Sequence, residues 1–196
     1  MKMTIQRLAF GAFTAVSALC LSNCAYEPAT RANASHASAG QISSDAHAAL
    51  SSLYSKDPNA RRLGNRAAGV LVFPEIMKGG FIIGAEGGNG ALLQGGKTTR
   101  YYQTAGASFG LQAGVQKFGY ALFLMNKSEV AKLDQADGWD IGSSPTLVVL
   151  DHGKSSEFST STSDNRKSYA YFFDQKGLMG GLSLKGSKIT RIHPGE

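Results

Sequence analysis

The stretch TAGASFGLQAGVQKFGYALFLM, residues 104–125, decides the fold. Its odd positions run Ala105, Ala107, Phe109, Leu111, Ala113 and Val115, and its even positions run Gly106, Ser108, Gly110, Gln112, Gly114 and Gln116. Alternation over a dozen residues has a period of two, so the segment reads as one long strand or a bent pair. One of its faces is almost bare of side chains. Glycine on one face of a strand marks either curvature, as in a barrel, or the close approach of another backbone or a ligand. Both readings stay open at this point.

Working outward, the neighbours carry the same texture. Val70–Pro74 is a short β-branched run closed by proline, and FIIGAEG, GALLQ and TTRYYQT follow as successive strands. Turns are expected at Gly87–Gly90 and at Gly95–Gly96. KSEVAKLDQA reads as a short amphipathic helix with Val130 and Leu133 inward. SPTLVVLDHG, SEFSTSTSD, KSYAYFFDQKG and a Gly-broken pair in GLMGGLSLKGSKITRI complete the strands. Glycine makes up 24 of 196 residues without a strict period, which points to bends rather than a fibrous repeat. Few connections are long enough for crossover helices, so a parallel βαβ arrangement is disfavoured. The expected class is α+β: N-terminal helices on a Gly-rich antiparallel barrel or sandwich, plus the one short helix.

The helical part lies upstream, in SDAHAALSSLYSKDPNARRLGNRAAG. Ser44 or Asp45 is the expected cap, with Ala49, Leu50, Leu53 and Tyr54 on one face. Asp57 caps a second helix that begins with Pro58, Leu63 and Ala67 face inward, and Gly69 marks the stop. Arg61, Arg62 and Arg66 crowd the outer surface.

The N-terminus reads as an export signal. Lys2 and Arg7 precede the uncharged run Leu8–Leu21, which as a helix would extend roughly 21 Å, short of a hydrocarbon core of about 30 Å. Leu21-Ser22-Asn23-Cys24 resembles the lipobox of bacterial lipoproteins, in which the cysteine sulfur takes a diacylglyceryl group. Residues 1–23 are thus expected to be a lipoprotein signal peptide, Cys24 the lipid anchor, 24–43 a polar tether and 44–196 the folded domain. Loss of Lys2 and Arg7 takes the net charge from +6 to +4, a modest basic excess that suits anionic surfaces. Export disfavours nucleic acid as the partner. No cysteine follows Cys24, which excludes a disulfide framework or a Cys-based zinc site from the domain.

Chemistry-bearing motifs are sparse. GAEGGNG and GASFGLQAG lack the strand-to-helix setting of a phosphate-cradling loop. His36, His47, His152 and His193 are dispersed, without metal-ligand spacing and without a nucleophile, so no cofactor, metal or enzymatic activity is expected. Among Glu75, Glu86, Asp137, Asp140 and Asp151, only Glu86 has neighbours that suggest burial, where its pKa would rise and its role would be structural. Trp139, the sole tryptophan, reads as a core plug or an interfacial wedge.

Four blocks, RAAGVLVFPEIMKGGFIIGAEGGNGALL, YYQTAGASFGLQAGVQ, DGWDIG and QKGLMGGLSLKGSKITRI, taken in order, resemble the SYLF-domain family of lipid-binding proteins, in its short bacterial, lipoprotein-like form. The resemblance spans Ser44 to Ile192. It implies binding to anionic phospholipid through basic and amphipathic elements near the start of the domain, here Arg61, Arg62, Arg66 and Lys78. The expected function is that of a non-enzymatic envelope lipoprotein, at the outer membrane facing the periplasm, that binds phospholipid or an acyl chain held inside a barrel. The alternative is a structural envelope protein whose Gly-rich face receives a protein partner or peptidoglycan.

Overall fold

The computed structural model describes residues 37–134, 139–140, 147–151, 168–177 and 187–195. Two helices come first, α1 (Ala39–Lys56) and α2 (Pro58–Arg66), followed by β1 (Gly69–Gln94), β2 (Lys97–Leu124) and α3 (Lys127–Lys132). Strands β3 (Trp139–Asp140), β4 (Leu147–Asp151), β5 (Ser168–Gly177) and β6 (Ser187–Ile192) follow. The leader, Cys24 and most of the expected tether lie outside the described residues, as do SEFSTSTSD and the first half of the final Gly-broken pair. No described helix is long and apolar enough to cross a membrane.

Helix α1 starts earlier than its sequence signals indicate. The cap is Ser38, whose hydroxyl accepts from Gln41 N at 3.2 Å, rather than Ser44 or Asp45. The added turn, taken from the expected tether, buries Ile42, and burial outweighs the weak local pattern of AGQIS. The second helix begins as expected: Asp57 Oδ1 accepts from Asn59 N and Ala60 N at 2.7 and 3.2 Å, with Pro58 in the first turn.

Two long strands dominate the sheet. β1 and β2 form one antiparallel hairpin turned at Gly95–Gly96, both with positive φ. Pro74 does not end a strand and Gly87–Gly90 is not a turn. Pro74 sits in a bulge between the pairs Phe73↔Tyr120 and Ile76↔Phe118, where its missing N–H breaks no ladder bond. β1 occupies one edge of β2 throughout. The other edge is divided, with β6 on Tyr101–Gly106 and β5 on Gln116–Leu124. The six described strands form one sheet that does not close into a barrel. Moreover, β4 runs parallel to β5, against the all-antiparallel expectation.

The hairpin is curled back on itself. Its register breaks between Gly80 and Ile82, opposite Gly110–Gly114, and Gly114 takes φ 142°. Beyond this bend the far half of β1 passes over its near half. A Cβ on Gly88 would lie 2.5 Å from the Glu75 carbonyl oxygen, and one on Gly90 would lie 2.5 Å from that of Val72. These glycines therefore mark backbone approaching backbone.

Both faces of the sheet are buried. Toward the helices, Val70, Val72, Ala121, Phe123, Tyr171 and Phe173 pack on Ile42, Ala46, Leu50, Leu53 and Leu63. The inner face of the curl holds Leu71, Phe73, Ile76, Tyr102, Phe118, Tyr120 and Phe172, closed below by Val130 of α3 and by Leu133 at its C-terminal cap. Tyr120 and Phe172 meet at 5.3 Å and Phe118 and Phe172 at 5.5 Å, tilted as aromatic quadrupoles prefer. The described part of this interior is filled with side chains, which overturns the expectation of a barrel lumen for an acyl chain.

Candidate functional site

The four basic residues singled out in the sequence separate in the structure. Arg61, Arg62 and Arg66 are all exposed on α2, whose opposite side buries Ala60 and Leu63. Arg62 and Arg66 are one helical turn apart and share a face, with Arg61 adjoining it. Arg61 Nε donates to Tyr54 O at 3.3 Å, and Arg62 donates to Asn59 Oδ1. Arg66, in the last turn, sits where the helix dipole favours a cation.

The face is positioned by a tight corner between the two helices. Asp57 caps both, its own N–H reaching Leu53 O at 2.8 Å while its carboxylate caps α2. Gly64 lies under the end of the Tyr54 side chain, so a Cβ there would have to displace the phenol. Burial pushes the Tyr54 phenol up to about 12, with Arg61 opposing. Between the helices and the hairpin turn runs a groove of about 340 Å³, lined by Leu50, Tyr54, Asn65, Val70 and Leu93 among others. A cationic helix surface thus adjoins a largely apolar groove.

Lys78 is not part of this surface. It is 6% exposed, on the inner face of the curl, with Nζ 3.6 Å from Glu86 Oε2. Glu86 is 7% exposed, and Ser187 of β6 donates to its other oxygen. Burial raises the Glu86 pKa above the ordinary carboxylate value, and the Lys78 ammonium works against that rise. The sequence reading of Glu86 as a buried structural carboxylate holds. The sequence does not reveal this placement of Lys78, because a lysine on a Gly-flanked strand carries no sign of which side faces out.

Among the described residues no three His, Cys, Asp or Glu side chains converge to hold a metal. His47 Nε2 lies 3.3 Å from Thr98 Oγ1, which in turn meets Ser43 Oγ at 2.7 Å, a chain that ties α1 to the start of β2. His36, Asp137 and His152 lie outside the described residues. Trp139 pairs with Ile189 at the sheet's edge. The sequence reading missed Glu129, which is buried and accepts from Lys132 Nζ at 2.7 Å and Ser168 Oγ at 3.0 Å, fastening α3 to β5.

Comparison with known families matches residues 105–193 to the Ysc84 model, described as Las17-binding protein actin regulator. The matched stretch begins inside β2 and runs through β6, so α1, α2 and β1 precede it. No curated protein matches the chain.

Proposed function

We propose that this protein, whose residues 105–193 match the Ysc84 family model, binds anionic phospholipid through the exposed face of α2, which precedes the matched stretch. The observation that carries this reading is the cluster of Arg61, Arg62 and Arg66 on one short helix, fixed by the Asp57 cap and bordered by an apolar groove. Guanidinium groups pair well with phosphate oxygens, and the groove offers apolar surface to whatever follows the head group. Each basic residue near an anionic surface contributes about 1 kcal/mol, so the three together amount to roughly a hundredfold in affinity.

In this reading the protein is a non-enzymatic lipoprotein of the bacterial envelope. Cys24 carries the acyl anchor, and the domain meets the periplasmic side of the outer membrane. The mass of the mature N-terminus tests the anchor. Vesicle co-sedimentation tests the lipid face: binding should require anionic lipid, weaken with salt, and fall on joint replacement of Arg61, Arg62 and Arg66 by Ala. Binding indifferent to lipid charge and to these substitutions refutes the proposal. A protein cross-linked specifically in the envelope, with no affinity for vesicles, would favour the interaction-protein alternative.

A further inference from the structure

Past the aromatic rings, the inner face of the curl turns polar toward the bend. On one leg, Lys78 of β1 stands directly opposite Gln116 of β2. On the other leg, Glu86 and Thr104 share that inner face, in the adjacent same-face pairs Glu86↔Gly106 and Gly88↔Thr104. Ser187 of β6 joins them opposite Gly106. These side chains form a layer in which none is more than 7% exposed. At that depth a polar atom ordinarily has a hydrogen-bond partner.

Three oxygens of the layer have none from the protein. Gln116 Oε1, Thr104 Oγ1 and Glu86 Oε2 are enclosed, and no protein group hydrogen-bonds any of them. Ser187 serves the other Glu86 oxygen. Lys78 Nζ stands 3.6 Å from Oε2, close enough to attract it as a charge but beyond a hydrogen bond. Each open oxygen has therefore given up water on folding without recovering a bond.

The chemistry of the layer selects what fills it. The Lys78 ammonium repels a cation and the Glu86 carboxylate repels an anion. Carboxylate and amide oxygens only accept, whereas a hydroxyl also donates, so the occupant must be a neutral donor that can accept as well. It must be small. A Cβ on Gly106 would already lie 3.0 Å from Glu86 Oε1 and 2.8 Å from Ser187 Oγ, and one on Gly88 would lie 2.5 Å from the Glu75 carbonyl oxygen. Water meets all of these conditions.

We propose that the polar layer of the curl is a binding site for internal water, which donates to Glu86 Oε2 and Gln116 Oε1 and accepts from the Thr104 hydroxyl. The water ties both legs of the hairpin together where direct side-chain contact does not close the gap. Internal waters of this kind make about three hydrogen bonds and are costly to remove.

The test uses the full chain. A high-resolution crystal structure should show water within hydrogen-bond distance of Glu86 Oε2 and Gln116 Oε1. In solution, the Gln116 side-chain amide should give cross-relaxation peaks to water with the sign of a long-resident molecule. Thr104→Val keeps the shape of the side chain and decides between a wet and a dry layer. Losing a hydroxyl bonded to water lowers the urea midpoint, whereas losing a dry, unpartnered hydroxyl raises it. A lower midpoint with weakened water peaks is expected. A layer without water in the crystal, or a Thr104→Val variant more stable than the parent, overturns the proposal. Amide shifts around Glu86 that saturate with sodium or potassium chloride overturn it in favour of a bound cation.

Discussion

Lys78 Nζ lies 3.6 Å from Glu86 Oε2, although both residues belong to β1 and a straight strand would hold their Cα atoms about 26 Å apart. The contact exists because the hairpin bends between Gly80 and Ile82 and its halves face each other. Ser187 adds the β6 strand to the same junction, so one buried polar cluster joins the two legs of the curl and the sheet's second edge.

Breaking that pair should be severe. Lys78→Ala strands the Glu86 carboxylate in the interior and is expected to destabilise the fold by about 3–5 kcal/mol in urea unfolding. Replacing both, as Lys78→Met with Glu86→Leu, should recover most of the loss, since a buried pair contributes little net stability over apolar side chains of similar size. A single variant as stable as the parent would show that the cluster is open to bulk water.

The Glu86 carboxyl makes a signed contribution to pH dependence. Its folded pKa is raised, so the native state holds this proton to higher pH than the unfolded chain does. Stability from this group is fully present below the ordinary carboxylate value and declines as pH climbs through the raised folded value. Glu86→Gln removes the titration, so the parent should lose stability relative to the variant across that window. Urea midpoints measured at several pH values check the direction, and a gap moving the other way contradicts the burial.

At alkaline pH the tyrosines report on both faces of the sheet. Burial first, then the hydrogen bond to Asp134 at 2.9 Å, pushes the Tyr102 phenol up to about 12, and Tyr54 reaches a similar value by burial. Tyr120, enclosed in the curl, is raised further. Above the ordinary phenol value the unfolded chain gives up these protons before the native state does, so stability should fall as pH rises from about 10 toward 12. An ultraviolet titration of the native protein should show these three ionising late, Tyr120 only with unfolding.

The glycines divide by what they approach. Gly88→Ala and Gly90→Ala drive a methyl into backbone carbonyls of the opposing leg and should destabilise by about 2–3 kcal/mol. Gly64→Ala meets only the end of the Tyr54 side chain, and its gain of up to about 1 kcal/mol in helix propensity offsets the displacement. The net change at Gly64 should stay within about 1 kcal/mol, measured by thermal or urea unfolding.

Asp57→Ala removes the carboxylate that caps α2, with an expected loss of about 1–2 kcal/mol. Asp57→Asn should keep most of the stability, because the amide oxygen can still accept. If α2 also carries the lipid face, vesicle affinity should fall in Asp57→Ala in step with the helix content seen by circular dichroism.

Features governed by a few neighbouring residues were legible in the sequence. The Asp57-Pro58 cap, the Gly95–Gly96 turn, and the inward Val130 and Leu133 follow from spacing and local backbone preference. The α2 arginines fell on the outer surface as the helical period requires. Errors arose where the same residue type serves two purposes. Glycine at 87–90 resembles a turn but accommodates a crossing strand, and Pro74 resembles a strand end but occupies a bulge.

The sequence by itself determined the corner at Asp57-Pro58 and the hairpin turn at Gly95–Gly96, because a cap or a tight turn is decided by groups a few bonds apart. It also determined the pattern of alternating side chains, because a pleated backbone admits no other period. Only the tertiary structure decided which face is inside. Each bulge in β1 and β2 resets the register, and one residue of slip moves every later side chain to the opposite side of the sheet. That is why Lys78 ends beside Glu86 in the interior, why Lys117 meets Lys176 across the β2–β5 pair, and why the sheet curls without closing.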